Sequence, residues 1–146
     1  MRNFTISVAS IAILIFFASC GDKTDKPPGF IHSNGEIRRE YKKSPAEFKT
    51  KYSGKEIAVW GTAEFVDVTG DVGTVRFKET EVDLSGTPTV RCNVDKADFG
   101  KFNDQKVAAG TMIRVRGTME LNPSWMDLKK CRLEKVGTAA VSDDQP

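Results

Sequence analysis

An alternation of apolar and polar residues, with a period of two, runs through most of the chain after Lys55. In the first such segment the residues that share one side of an extended chain are Ile57, Val59, Gly61, Ala63 and Phe65. Alternation of this kind is typical of an antiparallel strand with one face in a core and the other in water. It returns in four later segments, so we predict an all-β fold of five strands.

Turn residues and changes of pattern separate the later strands. The second strand follows a turn at 69–73 and includes Val75 and Phe77, and the third, fourth and fifth cover 90–94, 111–121 and 125–136. In the fifth strand Leu128 and Cys131 fall on opposite sides, which predicts a β-bulge near Lys129 and Lys130. The polar stretch 79–88 has no pattern that predicts its pairing.

Two short helices are predicted beside the strands. Ser44-Pro45-Ala46-Glu47 combines a capping box with proline at the first helical position, which predicts a helix over 45–52. A second helix at about 95–103 places Phe99 and Phe102 one turn apart. Five strands with a helix between the third and fourth, and glycines within the first and fourth, predict a five-stranded OB-fold barrel. An open sandwich or a small α+β sheet is the alternative.

The first twenty residues have the composition of an export signal. Arg2 precedes an uncharged apolar stretch at 4–17, which is shorter than the ~20 residues of a transmembrane helix. Phe17-Ala18-Ser19-Cys20 resembles a bacterial lipobox, which implies cleavage before Cys20 and attachment of diacylglycerol and a further acyl chain, such as palmitate, to that cysteine. An ordinary signal peptide or an uncleaved anchor is the alternative.

These features predict four parts of the chain: a lipoprotein signal peptide (1–19), a lipid-anchored flexible tether (20–43), an OB-fold domain (44–136) and a disordered tail (137–146). The tether is predicted from its polar, proline-containing composition. We expect the protein in the cell envelope, held to a membrane by its lipid. Gly21 is not the aspartate that often retains lipoproteins in the inner membrane, so in a host with two membranes we expect the outer membrane, facing the periplasm.

Cysteine usage fits an exported protein. Once lipid occupies Cys20, Cys92 and Cys131 remain, and both point inward by alternation on the third and fifth strands. These strands are neighbours in an OB barrel, so we predict a disulfide between the two residues, with two buried thiols as the alternative. The single histidine, His32, lies in the predicted tether, so we expect no metal site.

Enzymatic function is not expected. A Ser-His-Asp or Cys-His arrangement needs a histidine within the folded domain, and none follows His32. Gly70-Asp71-Val72-Gly73 joins two strands, which favours a hairpin turn over a phosphate-binding loop, and we expect no cofactor. The formal net charge of +2 argues against nucleic acid as the partner.

A binding function is the preferred hypothesis. OB barrels bind ligands on the outer face of their second and third strands and on adjoining loops. The candidate ligand-binding residues on that face are Arg76, Lys78 and Arg91, with Trp60 beside them on the first strand and Trp125 on the loop between the fourth and fifth strands. Cations beside exposed rings suit an anionic or glycan oligomer from the envelope. Charged residues on a wet strand face are also routine, and the alternative function is a structural or adaptor lipoprotein that binds another envelope protein.

Several short motifs, in this order, resemble the tRNA anti-like OB-fold family of small exported bacterial proteins and lipoproteins. They are Tyr52-Ser53-Gly54-Lys55, Val59-Trp60-Gly61, Val90-Arg91-Cys92-Asn93-Val94, Gly110, Val115-Arg116-Gly117, and Leu128 together with Cys131-Arg132-Leu133. The resemblance covers about residues 44–136 and implies the OB fold. The family name reflects similarity to anticodon-binding domains and does not imply that the members bind nucleic acid.

Overall fold

The computed structural model describes residues 31–79 and 81–141. Its strands and α-helices are β1 (Ile31–Ser33), α1 (Asn34–Lys43), α2 (Pro45–Tyr52), β2 (Glu56–Asp67), β3 (Val72–Phe77), β4 (Thr89–Asp95), α3 (Phe99–Asp104), β5 (Met112–Leu121) and β6 (Trp125–Val136). Short 3-10 helices occupy Val82–Leu84, Lys96–Asp98 and Gly137–Ala140. The five predicted strands correspond to β2–β6, and the predicted helix over 45–52 is confirmed as α2.

Strands β2 to β6 form a closed barrel. The strand order is β1-β2-β3-β4-β6-β5, and a further pairing of β2 with β5 completes the ring. β2 pairs with a different strand at each of its two ends: residues 56–62 pair with β5, and residues 63–67 pair with β3. β4 and β6 run parallel, whereas the other pairs in the ring are antiparallel. The predicted five-stranded OB-fold barrel is therefore confirmed.

Inward-facing side chains of all five barrel strands fill one core. Alternate residues of β3 and β4 are buried, as the period-two pattern predicts. Phe99 and Phe102 close the barrel from the predicted second helix, which consists of the Lys96–Asp98 turn followed by α3. Phe48 and Tyr52, on the inner side of α2, pack into the same core.

A β-bulge in β6 confirms one prediction and explains its cause. Gly117 of β5 lies opposite a stretch of β6 that holds one extra residue, and Lys130 adopts φ of +53° there. A side chain at Gly117 would place its Cβ 2.8 Å from the carbonyl oxygen of Lys129. Glycine therefore allows the two backbones to approach at the bulge.

A second bulge, in β2, corrects another prediction. Ala63 pairs with Phe77 and Phe65 pairs with Arg76, so Glu64 is an extra residue. The extra residue reverses the alternation after it. Phe65 was predicted on the inner side, and this prediction is wrong, since the ring points outward and the residue is 40% exposed.

The predicted tether is wrong for residues 31–43, which form β1 and α1. Ser33 caps α1: its hydroxyl accepts from the Glu36 amide at 3.1 Å, and its own amide donates to the Glu36 carboxylate at 2.7 Å. The helix buries Ile37 and Arg38. A reciprocal capping box therefore forms at Ser33, whereas Ser44 makes no side-chain cap for α2. Residues 20–30 of the tether lie outside the described residues, as does the signal peptide.

The other predicted boundary also shifts. Residues 137–140 form a 3-10 helix in which Ala140 is fully buried, so the prediction of a disordered tail is wrong for them. Residues 142–146 lie outside the described residues. Across the described ranges, no helix combines the length and apolar character that spanning a membrane requires.

Side chains of helix α1 bind the polar segment 79–88, for which the sequence predicted no strand pairing. The guanidinium of Arg38 donates to the carbonyl oxygens of Leu84 at 3.0 Å and Thr87 at 3.2 Å. It also lies 3.3 Å from the Glu79 carboxylate. On the solvent side, Arg39 pairs with Glu81. The described residues of this segment, 79 and 81–88, are thus held by side chains of α1, and none of them belongs to a strand.

Candidate ligand-binding face

A row of side chains crosses the outer surface of the barrel, perpendicular to its strands. Neighbours in this row are register partners on adjacent strands, and from β2 to β5 they are Phe65, Arg76, Arg91, Asp127 and Glu120. Trp125 flanks the row from β6, where it is the partner of Thr89. We call Phe65, Arg76, Arg91 and Trp125 the arginine–aromatic face.

Arg76 supplies an uncompensated cation to this face. Its guanidinium carbon lies 4.8 Å from the centroid of the Phe65 ring, within the range of a cation–π contact. The Nε atom of Arg76 is buried and has no hydrogen-bond partner. Among the described residues no salt bridge includes Arg76. A buried donor without a partner is uncommon in folded proteins, and this one lies beside an exposed ring.

Arg91 has a different role, since its charge is matched. Its Nε and Nη2 atoms donate to the two carboxylate oxygens of Asp127 at 2.7 and 3.0 Å. Asp127 is almost fully buried. The guanidinium carbon of Arg91 also lies 4.8 Å from the Trp125 centroid. A bidentate pair fixes the plane of the guanidinium, so Arg91 holds the indole ring in place.

The turn before β6 fixes Trp125 from the other side. The side-chain oxygen of Asn122 accepts from the backbone amides of Ser124 at 3.0 Å and Trp125 at 2.8 Å. The amide nitrogen of Asn122 donates to Asp127 at 2.7 Å. Asn122 therefore connects the turn to the Arg91–Asp127 pair. The position of the Trp125 ring is thus fixed without a ligand.

Lys78 extends the face beyond the end of β3. Its backbone amide donates to the carbonyl of Thr62 at 2.7 Å, and its carbonyl accepts from the side chain of Asn34 at 3.1 Å. The side chain is exposed, and within the described part of the chain it forms no salt bridge. Arg76 on the face and Lys78 beyond the end of β3 are therefore two cations that no carboxylate of the described residues neutralises.

Trp60 lies between β1 and β5. It is paired with Ser33 of β1 on one side and Arg114 of β5 on the other. It lies in the half of β2 that pairs with β5, whereas Phe65 and Arg76 lie where β2 pairs with β3. The two positions are thus separated where β2 changes partners, and membership of Trp60 in the site stays a prediction.

Three contributors were missed by the sequence interpretation: Phe65, Asn122 and Asp127. Phe65 was hidden by the bulge at Glu64. Asp127 falls between the buried residues Met126 and Leu128, so its outward position was readable from alternation. Asn122 begins an Asn-Pro-Ser turn, a sequence in which the asparagine side chain commonly bonds the backbone two residues on.

Cys92 and Cys131 lie together inside the barrel, beneath this face. Both are fully buried, and the structure holds them as free thiols. Burial raises the pKa of the Cys92 thiol, and its hydrogen bond with Cys131 adds to the effect. The predicted disulfide stays a prediction. Across residues 31–79 and 81–141, no group of three or more His, Cys, Asp or Glu side chains could hold a metal ion.

Comparison with known proteins supports this architecture. A crystal structure from Klebsiella pneumoniae, described as a "putative nucleic acid-binding lipoprotein", matches with a TM-score of 0.56 and 14% sequence identity. The match covers 72% of the present chain and 91% of that chain, and at this identity it shows a shared fold. No curated protein matches the chain. The model of the tRNA_anti-like family matches residues 31–131, a range that includes β1 and α1 as well as the barrel. The chain belongs to the tRNA_anti-like family.

Proposed function

We propose that this protein is a non-enzymatic binding module that takes an anionic, ring-bearing oligomer on the arginine–aromatic face. The observation that carries the proposal is the Arg76 guanidinium, which lies over the exposed Phe65 ring and forms no salt bridge with a described residue. An anionic group of a ligand would supply the missing counter-charge. Trp125, already held by Arg91, offers a second ring on which a planar or sugar ring can stack.

The spacing of the two rings favours an oligomer over a single small molecule. Phe65 and Trp125 lie on strands separated by two others, β3 and β4. Neighbouring strands are about 4.8 Å apart, so the path between the two strand positions around the curved barrel surface is roughly 15 Å. One sugar or one base cannot contact both rings. A chain of several units can, with anionic groups near Arg76 and Lys78.

The K. pneumoniae structure supports the same ligand class, since the protein is described as nucleic acid-binding. Nucleic acids, polyphosphates and acidic glycans share repeated anionic groups, and the first and last also carry rings. The site in this chain is small, with two uncompensated cations. Release of counterions from two contacts on a single strand gives a slope of about −1.4 in log K against log salt, which is weak for a nucleic-acid binder.

A location in the cell envelope is part of the proposal. It is supported by the lipobox-like sequence that ends at Cys20 and by the lipoprotein description of the K. pneumoniae structure. We expect lipid on Cys20 to hold the module at a membrane. In Cys20→Ala the chain should leave the membrane fraction or accumulate uncleaved. Normal processing with full membrane attachment in this variant would contradict the assignment of Cys20.

The binding test uses residues 20–146 with Cys20→Ala, titrated with oligothymidylate, polyphosphate and an acidic envelope glycan at several salt concentrations. Arg76→Gln should weaken binding of the recognised probe at least several-fold, and Phe65→Ala should do the same without changing the salt slope. Arg132→Gln is the matched control, because it also removes one arginine from the barrel surface but lies on β6 and pairs with Glu56.

If no probe binds, or if Arg76→Gln and Arg132→Gln behave alike, the face is an ordinary solvated surface. The adaptor function, in which the module binds another envelope protein, would then take its place. Crosslinking of the acylated protein in its native envelope, followed by identification of the captured chain, would test that function.

A further inference from the structure

The β6 bulge directs Cys131 toward Cys92. On the parallel β4–β6 ladder, the register partner of Cys92 is Leu128, three residues before Cys131. Regular alternation would place Leu128 and Cys131 on opposite faces, but the extra residue at Lys130 turns both inward. As a result the Cys131 sulfur lies 3.2 Å from the carbonyl oxygen of Leu128, beside the strand position of Cys92.

The surrounding residues exclude solvent from both sulfur atoms. Cys92 and Cys131 both have 0% exposure. From β5, the absence of a side chain at Gly117 lets the backbone close over the pair, since a Cβ there would lie 3.0 Å from the Cys131 sulfur. A reagent in solution can reach either sulfur only when the barrel opens.

We propose that Cys92 and Cys131 are joined by a disulfide that cross-links β4 to β6, and that this bond forms before the barrel closes. An external disulfide, from an oxidoreductase or a low-molecular-weight thiol couple, accepts the electrons. One protein thiolate attacks it and forms a mixed disulfide, and the second displaces the external sulfur. The two protein thiols together lose two protons and two electrons, and the external disulfide leaves as two thiols. The proposal depends on export to an oxidising compartment but not on ligand binding.

The order of events follows from access and acidity. The thiolate is the attacking species, and an ordinary thiol has a pKa of about 8.5 in the unfolded chain. In the folded barrel burial raises the pKa of the Cys92 thiol, so little thiolate is present. During folding the oxidant therefore reaches reactive thiols. After the barrel has closed, the two thiols are buried and react slowly. The same enclosure protects the finished disulfide from reductants.

The first test is the redox state of the native protein. The full chain is extracted from its own envelope into acid and denaturant and alkylated without reductant. The expected result is a mass two hydrogen atoms below that of the reduced chain, with neither Cys92 nor Cys131 alkylated. Two alkylated cysteines in this sample would refute the disulfide.

The second test separates the order of events from the existence of the bond. Reduced, denatured residues 20–146 with Cys20→Ala are refolded with glutathione disulfide present throughout, or with the same reagent added after refolding. Oxidation in the first sample should be at least tenfold faster than in the second. Equal rates would show that the folded barrel admits the oxidant. Cys92→Ala, in which no intramolecular bond can form, gives the background of mixed disulfide.

Discussion

Replacing Arg38 with methionine should loosen the segment 79–88 and destabilise the whole domain. Arg38 is 1% exposed, and its guanidinium donates to Leu84 and Thr87 across more than forty residues of sequence. Methionine keeps an unbranched apolar stem in the same space but removes every donor. Because Glu79 is about half exposed, its carboxylate can return to water when the arginine is lost.

The size of the effect can be worked from the contacts. Two hydrogen bonds from a charged donor contribute about 1.5–3 kcal/mol each, so their loss removes roughly 3–6 kcal/mol. The Nε atom of Arg38 is buried without a partner, and its removal returns about 1–3 kcal/mol. The carbonyl of Leu84 keeps a bond from the Thr87 amide at 3.0 Å, so it is not left unsatisfied. At the middle of both ranges the net loss is about 2.5 kcal/mol, a fall in Tm on the order of 10 °C.

Arg39→Met is the matched control. Arg39 is the next residue on the same helix, and it also pairs with an acidic residue of the segment, Glu81. It is 49% exposed, so the pair contributes less than about 1 kcal/mol. Urea unfolding compares the two variants, and amide hydrogen exchange over 79–88 shows whether the segment opens locally. Equal destabilisation by the two substitutions would refute the reasoning from burial, as would unchanged exchange in Arg38→Met.

Three further outcomes are expected. Gly117→Ala should lower the free energy of unfolding by about 1–3 kcal/mol, because its Cβ would meet the Lys129 carbonyl at 2.8 Å. Gly100 of α3 has open space around it, so Gly100→Ala should raise the free energy of unfolding by about 0.5–1 kcal/mol in the same urea assay. Burial raises the pKa of Tyr52 to about 12 in the folded chain. The unfolded chain releases this proton near pH 10, so the free energy of unfolding should fall as the pH rises from about 10 to 12. Tyr52→Phe should lack the part of the fall that comes from Tyr52, as measured by urea midpoints at both ends of this pH range. Asp127→Asn should lower stability by about 1–3 kcal/mol and weaken binding of the oligomer, because Arg91 loses the bidentate pair that fixes its guanidinium against the Trp125 ring; unchanged binding would contradict the role given to Arg91.

The barrel was predictable from the sequence because alternation is a local signal that each strand carries by itself. Val90, Cys92 and Val94 are buried as their spacing predicts. The bulge at Lys130 was also predictable, since apolar residues that belong to the core lie on both sides of it. The bulge at Glu64 was missed for the same physical reason. Phe65 is apolar but exposed, so the alternation continues in the sequence while it reverses in space.

Helix α1 was missed because its burial is largely polar. Besides Ile37, the helix buries Asn34 and Arg38, which a pattern of apolar residues does not reveal. Their partners, the carbonyls of Lys78, Leu84 and Thr87, lie 44 to 49 residues away. A contact at that distance leaves no periodicity near either partner. The capping box at Ser33 was the one local signal, and it defines the start of the helix but not what the helix packs against.

The proposed binding face and the proposed disulfide are two sides of the same pair of strands. On β4 and β6, the pair Arg91 and Asp127 points outward, and the next pair along the ladder, Cys92 and Leu128, points inward. Successive side chains of a strand share one backbone, so a covalent link at the inner position also limits how far the outer position can move. The Arg91–Asp127 pair in turn holds Trp125. A chain refolded with both thiols reduced should therefore lose the ligand platform at lower urea than it loses β structure, and in a Trp60→Phe background the fluorescence of Trp125 should report that step.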